Sequence, residues 1–534
     1  MSPLVLDDPD GGPDGASDGA WDAEPPGEPV FEPEGEPAGP HPARTTALSS
    51  TAATARNART PTSAGTRAEP RVWSPHTRND SIPEADIRRI APWRVLPPLF
   101  AVLLGLWGLE RGGSMWRDES VTWQVAHRPL GGIRELLGEV DAVHGLYYLL
   151  MHGVFLAWDG GLWALRLPSV AATAVAAAGV AAVAHRLAGE RAALFAGLGY
   201  ALLPPVQAYA QEGRSYALVA AAVVWATYLM LRERWTAYAV VLLAGCWLHE
   251  FAALALLAHA CAAWRSRGWR IAAGAVAVLL LPLALVSARQ AQQQLGWLGR
   301  PSWQDWTAYL VLAAASLFLA RGAERELVRV ALPLALLPPG LLMALSLVHP
   351  WYVDRYVLYA LAGFALLAGA RLAALRGWRP WPWLLVVALL VPFGWWSVWL
   401  RTPDSRKDDA LAVAAAVRER ARPGDAVVFM PSRRREWLLS SPGVYEGLRD
   451  VALDRSPAAS RSLQGTELPP EAIRAALLAS PRVIALSDPA DQPLDPYPGE
   501  AAKREVLADG FERCSLTGVR GARVAVYARP GHCP

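Results

Sequence analysis

Lysine is almost missing from this chain: only Lys407 and Lys503 occur in 534 residues, so nearly every basic side chain is arginine. No lysine or arginine precedes Arg44, and no arginine cluster is interleaved with aromatics, which argues against a nucleic-acid surface. An HExxH pair, a glycine-rich phosphate loop and zinc-type cysteine spacing are all absent, so the motif routes to zinc hydrolysis and nucleotide binding are closed. Charge itself is scarce. At 19% charged and 53% hydrophobic residues, with 24 tryptophans, the composition is too apolar for a soluble protein of this length. The net charge of +3 is the sum of an acidic head and an arginine-punctuated body. These absences leave a multi-spanning membrane protein.

Residues 1–90 are rich in Pro, Gly, Ser, Thr and acids, and lack both the apolar content to fold and the basic-then-apolar order of a signal peptide. They are expected to form a disordered cytoplasmic tail. Residues 91–402 alternate apolar runs with short charged connections and read as a transmembrane helical domain. The runs predict about eleven spans, at 95–112, 163–184, 190–206, 215–231, 235–250, 251–264, 270–288, 306–320, 327–347, 355–371 and 381–400. The stretch 145–158 is shorter and fits an amphipathic helix lying at the interface.

The connections set the orientation. Arg88, Arg89 and Arg94 precede the first span, and every second connection then carries arginines: Arg186 and Arg191; Arg232 and Arg234; Arg265, Arg267 and Arg270; Arg321, Arg325 and Arg329; Arg371, Arg376 and Arg379. That is a positive-inside pattern with a cytoplasmic N-terminus. The opposite connections collect the unusual polar residues: Asp118-Glu119, Gln211 to Arg214, His249-Glu250, Gln290 to Gln304 and Asp354 to Tyr356. After residue 402 the chain turns soluble, with a helix over 407–421 and strands at 426–430, 482–486 and 523–527. An odd number of spans places this α/β domain, residues 403–534, outside the cytoplasm. Cys246 and Cys261 lie in apolar runs as small hydrophobes, whereas Cys514 and Cys533 are free to pair if their surroundings are oxidising.

Three constellations bear on chemistry. In Trp116-Arg-Asp-Glu-Ser120 two carboxylates lie next to the bilayer, either as helix-capping and first-turn acids or as a general base with a supporting neighbour. Asp118 is the better base and Glu119 the neighbouring or structural acid. In Tyr209-Ala-Gln-Glu-Gly-Arg-Ser-Tyr216, Glu212 and Arg214 are either paired with other residues or arranged so that the planar fork of Arg214 grips phosphate oxygens. Pro350-Trp-Tyr-Val-Asp-Arg-Tyr356 opens the tenth span, with Tyr352 in an aromatic belt and Arg355 as an interfacial anchor or a second phosphate cation. His144, in Asp141-Ala-Val-His-Gly-Leu-Tyr-Tyr148, is placed to line the same cavity with Tyr147. Gln290 to Gln294, with Trp297 and Trp303, reads either as sugar contacts or as an ordinary loop.

Taken together, the acid pair, the His-Gly-Leu-Tyr-Tyr stretch, Leu165-Arg-Leu-Pro-Ser169, the 209–216 segment and Arg355-Tyr-Val-Leu358 resemble the polyprenyl-phosphate-sugar-dependent glycosyltransferases of the GT-C class. The likeness is to family-39-like proteins related to protein O-mannosyltransferases and to the aminoarabinose transferase of lipid A, and it covers about residues 95–375. Gly213 departs from the Ala or Pro frequent in such relatives. The resemblance implies an inverting transferase in the plasma membrane. Its partners would be a polyprenyl-phosphate sugar donor, an extracytoplasmic acceptor (protein, lipid or cell-wall glycan) and the bilayer, with no nucleic acid. By the same analogy Asp118 is the base, Arg214 and Arg355 hold the lipid phosphate, and no cofactor or metal is expected. Two other classes compete: a flippase for lipid-linked sugars, and a non-catalytic envelope protein whose outer domain binds cell-wall material. The spans hold few acids, against the first, and the converging outer motifs are left unexplained by the second.

Overall fold

The computed structural model describes residues 91–110, 115–295, 299–375, 380–405 and 408–533. The expected tail, the end of the first span beyond 110, Trp297, Arg376 and Arg379 fall outside the described residues. The first part of the chain is helical: α1 Pro92–Leu106, α2 Arg117–Ala126, α3 Leu130–Glu139, α4 Gly145–Ala157, α5 Gly161–Ala188, α6 Glu190–Leu202, α7 Pro204–Ala210 and α8 Tyr216–Leu231. It continues with α9 Trp235–Leu248, α10 Leu254–Ala263, α11 Arg267–Leu295, α12 Trp303–Ala320, α13 Arg325–Leu345, α14 Ala360–Ala374 and α15 Pro380–Trp399.

Three helices are long and apolar enough to cross a bilayer by length and composition among the described residues: Leu162–Ala188, Arg267–Ala291 and Arg325–Leu345. Shorter apolar helices, including Pro92–Leu106, Tyr216–Leu231, Trp235–Leu248 and Ala360–Ala374, stand where further spans are expected. Leu281, Leu285, Leu310, Val311, Phe318, Val387 and Trp395 are exposed, a belt that water would not tolerate and lipid tails would. Inside, alanine and glycine let the helices approach closely, since apolar burial gives no driving force between helices in lipid and packing must supply it. A Cβ on Gly369 of α14 would come within 2.6 Å of the Ala196 backbone of α6.

Two expectations change. The amphipathic helix at 145–158 is α4, but it has no polar face. It buries Tyr147, Tyr148, Met151 and Phe155 and exposes Leu146, Leu149, Leu150 and Leu156, so both sides suit apolar surroundings. The tract from Gln290 is not a loop at its start, because α11 runs on to Leu295. Gln290 is spent on structure: it donates to the Leu137 carbonyl and accepts from the Ala142 amide.

Beyond the bundle, α16 Ala410–Arg420 leads into a sheet of β1 Ala426–Met430, β2 Arg449–Asp450, β5 Arg482–Ser487, β6 Glu512–Val519 and β7 Ala522–Ala528. The intervening short elements are α17 Trp437–Ser440, α18 Pro442–Tyr445, and the β3 Leu453–Arg455 and β4 Thr466–Glu467 ribbon; α19 Pro470–Leu478 and α20 Pro498–Gly510 complete the domain. The strand order is β2-β1-β5-β7-β6. β1 and β5 run parallel, with Ala426 opposite Val483, and β7 returns antiparallel with Val526 opposite Ile484. Alternation sends Val427 and Phe429 to the α16 side and Ala426 and Val428 to the α19 and α20 side. The three strands expected from sequence are β1, β5 and β7, and the expected helix is α16. β6, whose residues are mostly half-buried or exposed, offers no continuous apolar run. Cys514 and Cys533 are disulfide-bonded.

Candidate active site

The site is assembled at one end of the bundle by the start of α2, the turn before α4, the α7–α8 connection and the segment before α14. Glu119 is its keystone. Its side chain and that of Arg166 are both fully buried, with Arg166 Nε and Nη2 each 2.7 Å from a Glu119 oxygen. The second Arg166 arm donates to the carbonyls of Leu109 and Glu110 at 2.5 and 3.0 Å. Glu119 also accepts from the Gly213 amide at 2.9 Å, which pins the α7–α8 connection to α2. Ser169, one turn after Arg166 on α5, donates to the carbonyls of Glu212 and Arg214. The Arg-Leu-Pro-Ser motif is therefore a clamp on the loop that carries Glu212 and Arg214. Glu119 serves this clamp and, as the third residue of α2, also accepts from the amide of the N-cap residue Trp116 at 3.4 Å; both acids sit in the first turn of the helix.

Asp118 faces the other way. Its side chain is 19% exposed and pairs with Arg355 at 3.3 Å. Arg355 in turn donates through Nε to the Tyr216 hydroxyl at 3.1 Å and lies over the rings of Trp116, Tyr216 and Tyr356. His144 is 5.5 Å ring to ring from His249, and both rings approach Tyr216. The Nδ1 atoms of the two histidines are buried without a partner.

Arg214 is the unusual member. It is 6% exposed, yet no carboxylate pairs with it within 4 Å among the described residues, and its Nε is buried without a partner. Nη1 reaches only the hydroxyls of Thr122 and Tyr148, at 3.4 and 3.2 Å. Tyr148 passes its own proton toward Asp141, a residue held with φ of 63°. Asp118 and Asp141 act on Arg214 only across a longer range. A buried cation without a counter-ion costs several kcal/mol unless an anion joins it.

Of the residues expected from sequence, Asp118, His144, Arg214 and Arg355 converge around Tyr216, with Glu119, Glu212 and the buried Tyr147 behind them. Tyr352 has Asp305 and Asp354 as its charged neighbours, and Asp354 accepts from Tyr209, which packs on Tyr216. Sequence reasoning passed over Arg166, Tyr148, Asp141 and Tyr216 as site residues. Arg166 carried a usable signal, since an arginine inside an apolar run demands a partner. Among the described residues no group of three or more His, Cys, Asp or Glu side chains is placed to hold a metal ion. Glu250, adjacent to His249, accepts from Ser287 at 2.9 Å.

No protein-family model and no curated protein sequence matches the chain. Solved structures do. The crystal structure of ArnT from Cupriavidus metallidurans in the apo state superposes with a TM-score of 0.53 at 13% identity, covering 81% of this chain and 97% of that one. The same protein bound to undecaprenyl phosphate gives 0.48 at 14% identity over 83% and 99% of the two chains. Arabinosyltransferase EmbB from Mycobacterium smegmatis gives 0.37 at 18% identity over 54% and 32%. An overlap of 81% is more than residues 1–402 supply, so the likeness to apo ArnT reaches into the C-terminal domain. This chain has the fold of ArnT.

Proposed function

We propose that this protein is an inverting membrane glycosyltransferase that moves a sugar from a polyprenyl-phosphate carrier to a hydroxyl of an extracytoplasmic acceptor, which is a protein, a lipid or a cell-wall glycan. The carrying observation is Arg214: a buried guanidinium with no carboxylate partner within 4 Å among the described residues and an Nε without a hydrogen-bond partner, near a second cation, Arg355, that pairs with Asp118. A phosphate supplies the missing charge and, through the bidentate fork, the missing hydrogen bonds. The apolar belt and the reading of eleven crossings, with the N-terminus cytoplasmic and the site on the outer face, suit a donor whose tail stays in the bilayer.

In this reading the acceptor oxygen attacks the anomeric carbon from the face opposite the phosphate. Its proton passes to Asp118, the bond from the anomeric carbon to the phosphate oxygen breaks, and that oxygen leaves with the electron pair. Arg214 and Arg355 stabilise the charge that develops on the departing phosphate. Glu119, Arg166 and Ser169 keep the acid and the cations in register. His144, Tyr147, Glu212 and Tyr352 are assigned to the walls around donor and sugar.

Replacing Arg214 tests the reading. Arg214→Met is expected to weaken binding of the lipid phosphate by about 1.5–3 kcal/mol, roughly 10- to 100-fold in donor KM. Arg214→Lys restores only part, because a point charge lacks the fork. The thermal midpoint of the donor-free protein stays level or rises, since an unpaired buried charge has been removed. The measurement is transfer from labelled polyprenyl-phosphate mannose, glucose or arabinose in oriented vesicles, with unfolding followed in parallel. Wild-type protein that transfers from none of these donors, or Arg214→Met with an unchanged donor KM, overturns the proposal.

A further inference from the structure

The C-terminal domain grips α2 along one face. Arg117 and Gln124, seven residues apart, lie on one side of α2, and Arg128 follows just beyond its C-terminal end. Arg117 Nε is 3.9 Å from Glu436, Gln124 donates to the Leu463 carbonyl at 2.9 Å, and Arg128 donates to the Ser462 carbonyl at 2.7 Å. Leu439 and Leu463, partly buried, pack against the hydrophobic core of the bundle. Asp118 and Glu119 follow Arg117 at successive steps of about 100° around the same helix.

The part that meets the first turn of α2 is the 3₁₀ turn Ser432–Glu436, and it is braced from behind. Arg433 pairs with Asp488 and Asp495, Arg434 with Asp488 and Asp408, and Arg435 with Asp450 and Glu467. The Ser432 amide donates to Glu500 at 2.8 Å, and Arg434 lies over the buried Trp437 ring. Three consecutive arginines are thus tied into their own domain, and the fourth residue, Glu436, pairs through one oxygen with Arg434 at 3.5 Å and presents the other to Arg117 of α2.

We propose that Glu436 is a positioning residue of the active site: by holding Arg117 it fixes the first turn of α2 and hence the direction of the Asp118 carboxylate, which makes the C-terminal domain a working part of the catalytic centre. The proposal rests on the reading of Asp118 as the base. Glu436 does not touch the reacting atoms and acts through Arg117.

The charge environment gives this role a pH signature. α2 presents Arg117 and Asp118 to Glu436, its own turn presents Arg434 next to Arg433 and Arg435, and the segment before α16 presents Asp408. Burial is the largest influence and pushes the Glu436 carboxyl up to about 7, with Asp408 and Asp118 adding to the rise and Arg117 and Arg434 opposing it. Above that pH Glu436 is ionised and holds Arg117. As pH falls through it, the carboxyl takes a proton and the hold is lost, so transfer declines on the acid side.

Glu436→Gln removes that control. At pH 8 the variant is expected to transfer roughly 10- to 100-fold more slowly than wild type, the loss that a small misplacement of a catalytic group produces. Its rate no longer falls between pH 8 and 6, whereas the wild-type rate does. The charge swap Arg117→Glu with Glu436→Arg recovers activity that either single change loses. A wild-type-like rate and acid limb in Glu436→Gln overturns the proposal, as does a swap no better than the singles. If wild-type protein transfers sugar from no donor, the glycosyltransferase reading falls, and amide hydrogen exchange over residues 117–126 decides whether Glu436 positions α2. Faster exchange in Glu436→Gln supports the contact, and unchanged exchange overturns it.

Discussion

Asp118→Asn lowers kcat for sugar transfer by about 10²–10⁴, the range a positioned general base contributes, while donor binding is retained or strengthened. The two halves of this expectation have separate causes. The amide is isosteric and cannot take the acceptor proton, so the chemical step slows. The same change removes the anion that engages Arg355 at 3.3 Å. The lipid phosphate and Asp118 compete for that guanidinium, so deleting the competitor leaves Arg355 freer for phosphate. A fall in kcat with donor KM unchanged or lower is the signature of an interaction needed for the transition state and not for ground-state binding. Single-turnover transfer with saturating donor separates the two quantities. Wild-type kcat in Asp118→Asn removes Asp118 from the role of base. An equal rise in donor KM makes it a binding residue instead.

Composition made the membrane character and the helical bundle legible, because a bilayer leaves few ways to satisfy a backbone and the apolar runs are therefore long. The same logic found β1, β5 and β7, whose residues are buried in continuous stretches, and missed β6, whose side chains alternate with solvent. Helix α4 was read as lying in the interface from its shortness; its exposed leucines show a second apolar face that a run of Leu, Tyr and Met does not distinguish from a buried one. The site was legible in parts. Asp118, Arg214 and Arg355 announced themselves as charges at the ends of apolar runs, and they converge. What the chain could not display in one dimension was the pairing. Asp118 and Glu119 are neighbours with opposite fates: one is a fully buried structural anion and the other a partly exposed group at the mouth, because successive residues at the start of a helix point about 100° apart. Likewise the link between Glu436 and Arg117 spans the whole bundle in sequence, and no local pattern records it.

The Glu119–Arg166 pair carries the largest expected effect on stability. Arg166→Met leaves a fully buried carboxylate without its cation and strands the Leu109 and Glu110 carbonyls that the guanidinium satisfied. Breaking a buried pair from one side costs about 3–5 kcal/mol. The damage also spreads to function, since Glu119 ties the Gly213 amide, and with it the loop bearing Arg214, to the helix bearing Asp118. Glu119→Gln is expected to be milder than Arg166→Met: the amide keeps an oxygen for Gly213, and the uncompensated charge is then Arg166, which still has two carbonyls to donate to. Combining the two changes removes both charges, so the double variant should be more stable than Arg166→Met alone despite carrying one more substitution. Thermal unfolding of the four proteins in one detergent measures the coupling as a double-mutant cycle. Strict additivity would mean that the pair is not the unit that locks α2 to α5, and the register of Asp118 against Arg214 would need another source. A recovered midpoint in the double variant with transfer still impaired would separate the two duties of Glu119, because the buried charges would be gone while the Gly213 amide was held by a neutral amide oxygen, a weaker acceptor than the carboxylate.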